Sequence, residues 1–145
     1  MRHTAILIGV LCCGAPAVAR ADVRLGLGAD YWAESRNGFL SLTLGVDGPI
    51  ARYLHVGGRF GALVTGGYPN TFGAPIDLFL RAHLAGGRVY LEGLVGPWLL
   101  FDPYRLDLAF HGGFGFGLRS GGLVFGLEVG WVKEPHAGLR LGFQI

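Results

Sequence analysis

The chain has 145 residues and a formal net charge of +2, with 51% hydrophobic and 15% charged residues. Soluble domains carry about 25% charged residues, so the composition points to a membrane class, and its hydrophobicity excludes a disordered chain. The basic residues are scattered rather than gathered on one face or stripe, which excludes an electrostatic nucleic-acid binder.

The first segment, residues 1–21, reads as a cleaved secretory signal peptide. Met1-Arg2-His3 is a short basic start, and residues 5–18 form an apolar run that is shorter than the roughly 20 residues a spanning helix needs. Small-residue cleavage motifs follow at Ala17-Val18-Ala19 and Ala19-Arg20-Ala21. Cleavage after Ala21 is favoured, with Ala19 as the other site. Cys12 and Cys13 both lie in this segment, so the remaining chain, 22–145, has no cysteine for a disulfide, a thiolate metal site or a nucleophile. It is one domain by length, and it is neutral, because Arg2 and Arg20 leave with the signal.

From residue 22 onward the pattern is period two. The predicted strands are 23–30, 39–46, 53–64, 76–85, 88–99, 106–119, 123–132 and 136–145. Turn chemistry separates them at Asp47-Gly48-Pro49, Gly86-Gly87, Ser120-Gly121-Gly122 and Glu134-Pro135. One parity of each strand is apolar throughout. The other carries the charges, three histidines and many glycines. Four strands hold two charges each, and all four pairs share a face: Arg24 with Asp30, Asp77 with Arg81, Arg88 with Glu92 and Asp107 with Arg119.

Eight strands enclose a lumen just wide enough for side chains to fill it. The apolar face has too many large side chains to fit there, while the glycine-rich face leaves room for Arg and aromatic groups. The apolar face is therefore expected to meet lipid and the charged face to line the interior. Ten residues at about 3.3 Å rise, tilted, give roughly the 25 Å apolar band of an outer-membrane barrel. Tyr31, Trp32, Trp98, Phe101, Tyr104 and Trp131 cluster at the external strand ends and read as an interfacial aromatic girdle; a carbohydrate-stacking surface is the alternative.

A signal segment, eight alternating strands and a final apolar-alternating strand resemble the small outer-membrane β-barrels of the OmpA and OmpX type, across the whole of 22–145. The resemblance implies an all-β, eight-stranded, antiparallel, up-and-down transmembrane barrel in a Gram-negative outer membrane, with membrane lipid as its surroundings. The end, Gly138-Leu139-Arg140-Leu141-Gly142-Phe143-Gln144-Ile145, is similar to the terminal strand read by the barrel-assembly machinery. It departs from that pattern by ending in Ile145 rather than Phe.

The candidate lumen charge network is Arg59, Asp77, Arg81, Glu92, Asp107, His111, Arg119, Glu128 and Arg140. A turn centred on Gly86-Gly87 sets Arg81 opposite Glu92 and His83 opposite Tyr90. A last hairpin centred on Glu134 sets Glu128 opposite Arg140. A charge in a narrow lumen must be paired, so the expected interior is filled and non-conducting; a gated ion path is the alternative. No enzyme chemistry is expected. Of Ser35, Ser41 and Ser120, none sits beside a histidine in the pattern, which leaves a lipid-modifying enzyme as the third reading. No cofactor or metal is expected either: His55 and His83 fall near each other, but two ligands do not make a closed zinc site. Of the short external loops 31–38, 65–75, 100–105 and 133–135, the second is the candidate for an extracellular or envelope partner. The favoured function is structural or surface-interacting, with a narrow solute channel as the alternative. A partly open barrel completed by a partner chain is a further arrangement.

Overall fold

The computed structural model describes residues 21–67 and 71–145. Residues 1–20 of the expected signal peptide at 1–21, and residues 68–70 of the loop expected to contact partners, lie outside the described residues. Eight strands follow one another in chain order: β1 (Asp22–Trp32), β2 (Gly38–Ala51), β3 (Leu54–Thr65), β4 (Phe72–Leu84), β5 (Val89–Asp102), β6 (Arg105–Ser120), β7 (Leu123–Val132) and β8 (Glu134–Gln144). Each pairs antiparallel with its sequence neighbours, and β1 pairs with β8, so the sheet closes on itself. Closure leaves no strand edge unpaired. The barrel is of the expected all-β, up-and-down type, with Asp22 and Ile145 at one mouth; the opposite mouth carries the β1–β2, β3–β4, β5–β6 and β7–β8 connections.

Period-two alternation decides what each strand does with its two faces. Leu78, Phe110 and Phe114 point outward and stay exposed, Phe114 at 74%. The partner face packs inside. Its glycines let the walls approach: a Cβ on Gly61 would strike the Leu42 carbonyl, and one on Gly96 the Ile76 carbonyl.

The strands run longer than the pattern predicts. β2 continues through Asp47-Gly48-Pro49 to Ala51, with an irregularity between Pro49 and Ala51, so this stretch is strand and not turn. β4 begins at Phe72 rather than Ile76, because Phe72 to Pro75 pair with Trp98 to Phe101. The β4–β5 register matches expectation, with Arg81 opposite Glu92 and His83 opposite Tyr90. The last hairpin does not. Lys133 alone makes its turn at φ 61, Val132 pairs with Glu134, and Gly126 rather than Glu128 stands opposite Arg140. The one-residue turn moves the register by two.

Candidate functional site

The lumen gathers most of the buried polar groups among the described residues, and it is layered. At the loop mouth Trp32, Phe39, Leu63, Trp98, Leu100, Ala109 and Val132 form a buried apolar cluster. Phe39 lies 4.7 Å from the Trp32 ring and 5.9 Å, edge-on, from Trp98, arrangements that add to simple burial.

Trp32 and Trp98 are thus corrected from girdle to plug. Even positions on β1 and β5 point inward, so the same alternation that turns Tyr31 and Phe101 out turns these two in. Trp98 is 2% exposed, and its indole donates to Asp77 Oδ1 at 3.1 Å. Tyr31, Phe101, Tyr104 and Trp131 are exposed around that mouth.

Beneath the plug lies an ion network reaching across the barrel. Arg59 donates through Nη1 and Nη2 to both oxygens of Glu128, at 2.6 and 2.8 Å, and through Nε to Asp77 Oδ2 at 2.9 Å. Arg140 reaches Glu128 at 2.9 and 3.1 Å and Asp30 Oδ1 at 2.8 Å. His111 and His136 hang from Asp77 and Asp30 through Nδ1. The contact of Glu128 with Arg140 survives the shifted register because a long side chain spans a diagonal neighbour. A cavity of about 50 Å³, lined in part by Arg24, Thr43, Phe79 and Tyr90, separates this layer from the next. There Arg81 joins Glu92, at 2.6 and 2.8 Å, to Asp47 at 3.0 Å. His55 bonds Asp47 at 2.8 Å, and His83 stacks edge-on against His55.

The structure therefore brings together Arg59, Asp77, Arg81, Glu92, His111, Glu128 and Arg140 of the expected set. Asp107 is corrected from lumen to rim: it stands near the loop mouth and pairs with Lys133 and Arg105. Arg119 is also separate, bonded to Gln144 at the mouth that holds Asp22 and Ile145. The expected network left out Asp47 and His136, and also Asp30, although Asp30 was read on the lumen-facing side of its strand. The polar parity of β1 was the available signal for Asp30. Asp47 was hidden by its turn-like neighbours.

At the tip of the β7–β8 hairpin, beyond the apolar band, Glu134 Oε2 accepts from the amides of Glu34 and Ser35 at 2.8 and 2.7 Å. Partial desolvation works to raise this carboxyl, but the donors of Ser35 and Glu34 outweigh it and hold the group below the usual glutamate range.

Strand order, closure and inside-out polarity define a small transmembrane β-barrel with a filled lumen. A de novo designed transmembrane β-barrel matches with a TM-score of 0.68 at 12% identity, over 86% of this chain and 95% of the other. The outer membrane protein Ail of Yersinia pestis, its attachment invasion locus protein, matches with a TM-score of 0.60 at 12% identity, over 87% and 97%. The same protein in complex with the heparin analogue sucrose octasulfate gives 0.58 at 13%, over 86% and 95%. At these identities the likeness is one of fold. No family model matches this chain, and no curated protein matches it.

Proposed function

We propose that the chain is exported by a signal peptide at 1–21, leaving 22–145 as a non-enzymatic barrel in a Gram-negative outer membrane. Its lumen is a structural, non-conducting plug, and its loop mouth is the contact surface. The observation that carries this reading is the closure of the lumen: an apolar cluster at one mouth, then a network of Arg59 and Arg140 with three carboxylates that spans the bore through the Arg59–Glu128 bonds. A conducting path needs a continuous wet bore, and side chains paired across the lumen interrupt one.

The mouth with Asp22 and Ile145 faces the periplasm in this reading. Tyr31, Phe101, Tyr104 and Trp131 sit at the outer membrane–water boundary. The terminal strand 138–145 is the segment offered to the barrel-assembly machinery, and loop 65–75 is the surface for an envelope or extracellular partner. Polyanion binding, which the sucrose octasulfate complex shows for Ail, is not carried over. Among the described residues, the loop mouth sets Arg36, Arg105 and Lys133 against Glu34, Asp102, Asp107 and Glu134, and Asp107 already engages two of the three cations. Among those residues no serine hydroxyl bonds a histidine, and Ser41 Oγ points at the lumen beside Gly28 and Arg140, which supports the non-enzymatic reading.

Conductance across planar lipid bilayers tests the plug. The expected result is no stable single-channel current. A large, stable current would overturn the plug in favour of a narrow channel.

A further inference from the structure

The two histidines under the plug are held in a way that their hydrogen bonds leave incomplete. His111 Nδ1 lies 2.7 Å from Asp77 Oδ1, and His136 Nδ1 lies 3.2 Å from Asp30 Oδ1. An ionised carboxylate only accepts, so each Nδ1 carries a proton, and each ring in its neutral form presents a lone pair at Nε2. Both Nε2 atoms are buried with no hydrogen-bond partner, in residues 0% and 3% exposed.

The two nitrogens also converge. A Cβ placed on Gly130 would lie 2.8 Å from His136 Nε2 and 2.9 Å from His111 Nε2, so the glycine keeps the space in front of both rings open. Glu128 Oε1 is 3.9 Å from His111 Nε2, and one ligand atom from each of the three residues lies within 4.8 Å of the others. Ligands bound to one ion at about 2.0–2.1 Å stand at most roughly 4 Å apart, so small side-chain movements close the set.

We propose that His111, His136 and Glu128 form a site for one divalent transition-metal ion, enclosed in the lumen beneath the apolar cluster. Three further features support it. Aspartates on Nδ1 are the usual means of orienting a metal-binding imidazole. The layer sets three carboxylates, Asp30, Asp77 and Glu128, against two guanidinium groups, Arg59 and Arg140, so a cation is the charge it lacks. Glu128 Oε1 can turn to the ion while each arginine keeps a bond to Oε2. Two imidazole nitrogens and one carboxylate oxygen suit zinc, copper or nickel rather than calcium or magnesium.

All three ligands are buried, so the ion enters while the barrel closes. The test is therefore a refolding experiment. The protein is refolded into detergent with one equivalent of Co2+, or of Zn2+ in parallel, then treated with EDTA and desalted. About one ion per chain is expected to remain, with the strong visible absorption of low-coordinate Co2+. His111→Gln and His136→Gln are expected to abolish retention. His55→Gln, in the separate cluster of Asp47, His55 and His83, is expected to leave it unchanged. No retention by the native chain, retention in the His111→Gln/His136→Gln double variant, or loss on His55→Gln overturns the site. If the two Gln variants do not refold, the native chain decides: its denaturation midpoint rises when metal is present during refolding, and an unchanged midpoint overturns the proposal.

Discussion

A single charge in this lumen is worth far more than the same charge at its rim, because its partners cannot turn to water. Arg81 bonds both Asp47 and Glu92, and all three are buried. Arg81→Met strands Glu92, leaves Asp47 its bond to His55 alone, and is expected to cost about 3–5 kcal/mol, the range for breaking a buried pair. Arg105→Met removes only an exposed partner of Asp107 and is expected to cost about 0–1 kcal/mol. Denaturant midpoints of the two variants in the same detergent check the contrast; equal costs would contradict the layered lumen. At the hairpin tip, Glu134 is held ionised by the Ser35 and Glu34 donors. A carboxyl lowered in the folded state gives full stabilisation above its unfolded pKa and loses it as pH falls through the lowered value. The amide resonances of Glu34 and Ser35 are therefore expected to titrate together with a midpoint below about 4.3. A midpoint at or above that value would show that these bonds do not form.

Strands and hairpins were the most legible scale, since period two is set by backbone geometry alone. Arg81 opposite Glu92 followed from a turn centre, and the pairing holds although the loop opens one pair earlier than a two-residue turn. Glu128 opposite Arg140 did not follow. Nothing in Lys133-Glu134-Pro135 announces that Lys133 takes a left-handed conformation and makes the turn alone. Trp32 and Trp98 were misread because residue type was weighed above strand parity, and parity was right. The outward face makes its own prediction. Phe114 stands mid-strand on β6 and is 74% exposed. Facing lipid, Phe114→Arg is expected to cost about 2–4 kcal/mol. Facing water, the same change would be near neutral. Equilibrium unfolding from lipid vesicles separates the two.

Contacts across the barrel belong to the whole molecule, and these the sequence does not carry. Asp77 on β4 meets His111 on β6, and Arg59 on β3 meets Glu128 on β7, although neither pair of strands is adjacent. Alternation says which residues face inward. It gives no account of which of them meet across the bore, since that depends on the stagger of all eight strands at closure. The ion network was therefore readable as a set of charges and, between neighbouring strands, as the Arg81–Glu92 pair, but its bonds across the bore were not. The same holds for the two converging imidazoles, since His136 lay outside the expected set. Closure with the apolar face outward is the central claim, and gel migration of the detergent-refolded protein, with and without boiling, tests it most directly. The account predicts a compact, fast-migrating band before boiling that slows once the barrel is boiled open. Migration unchanged by boiling, in a protein that stays soluble in plain buffer, would contradict it and place the apolar face inside.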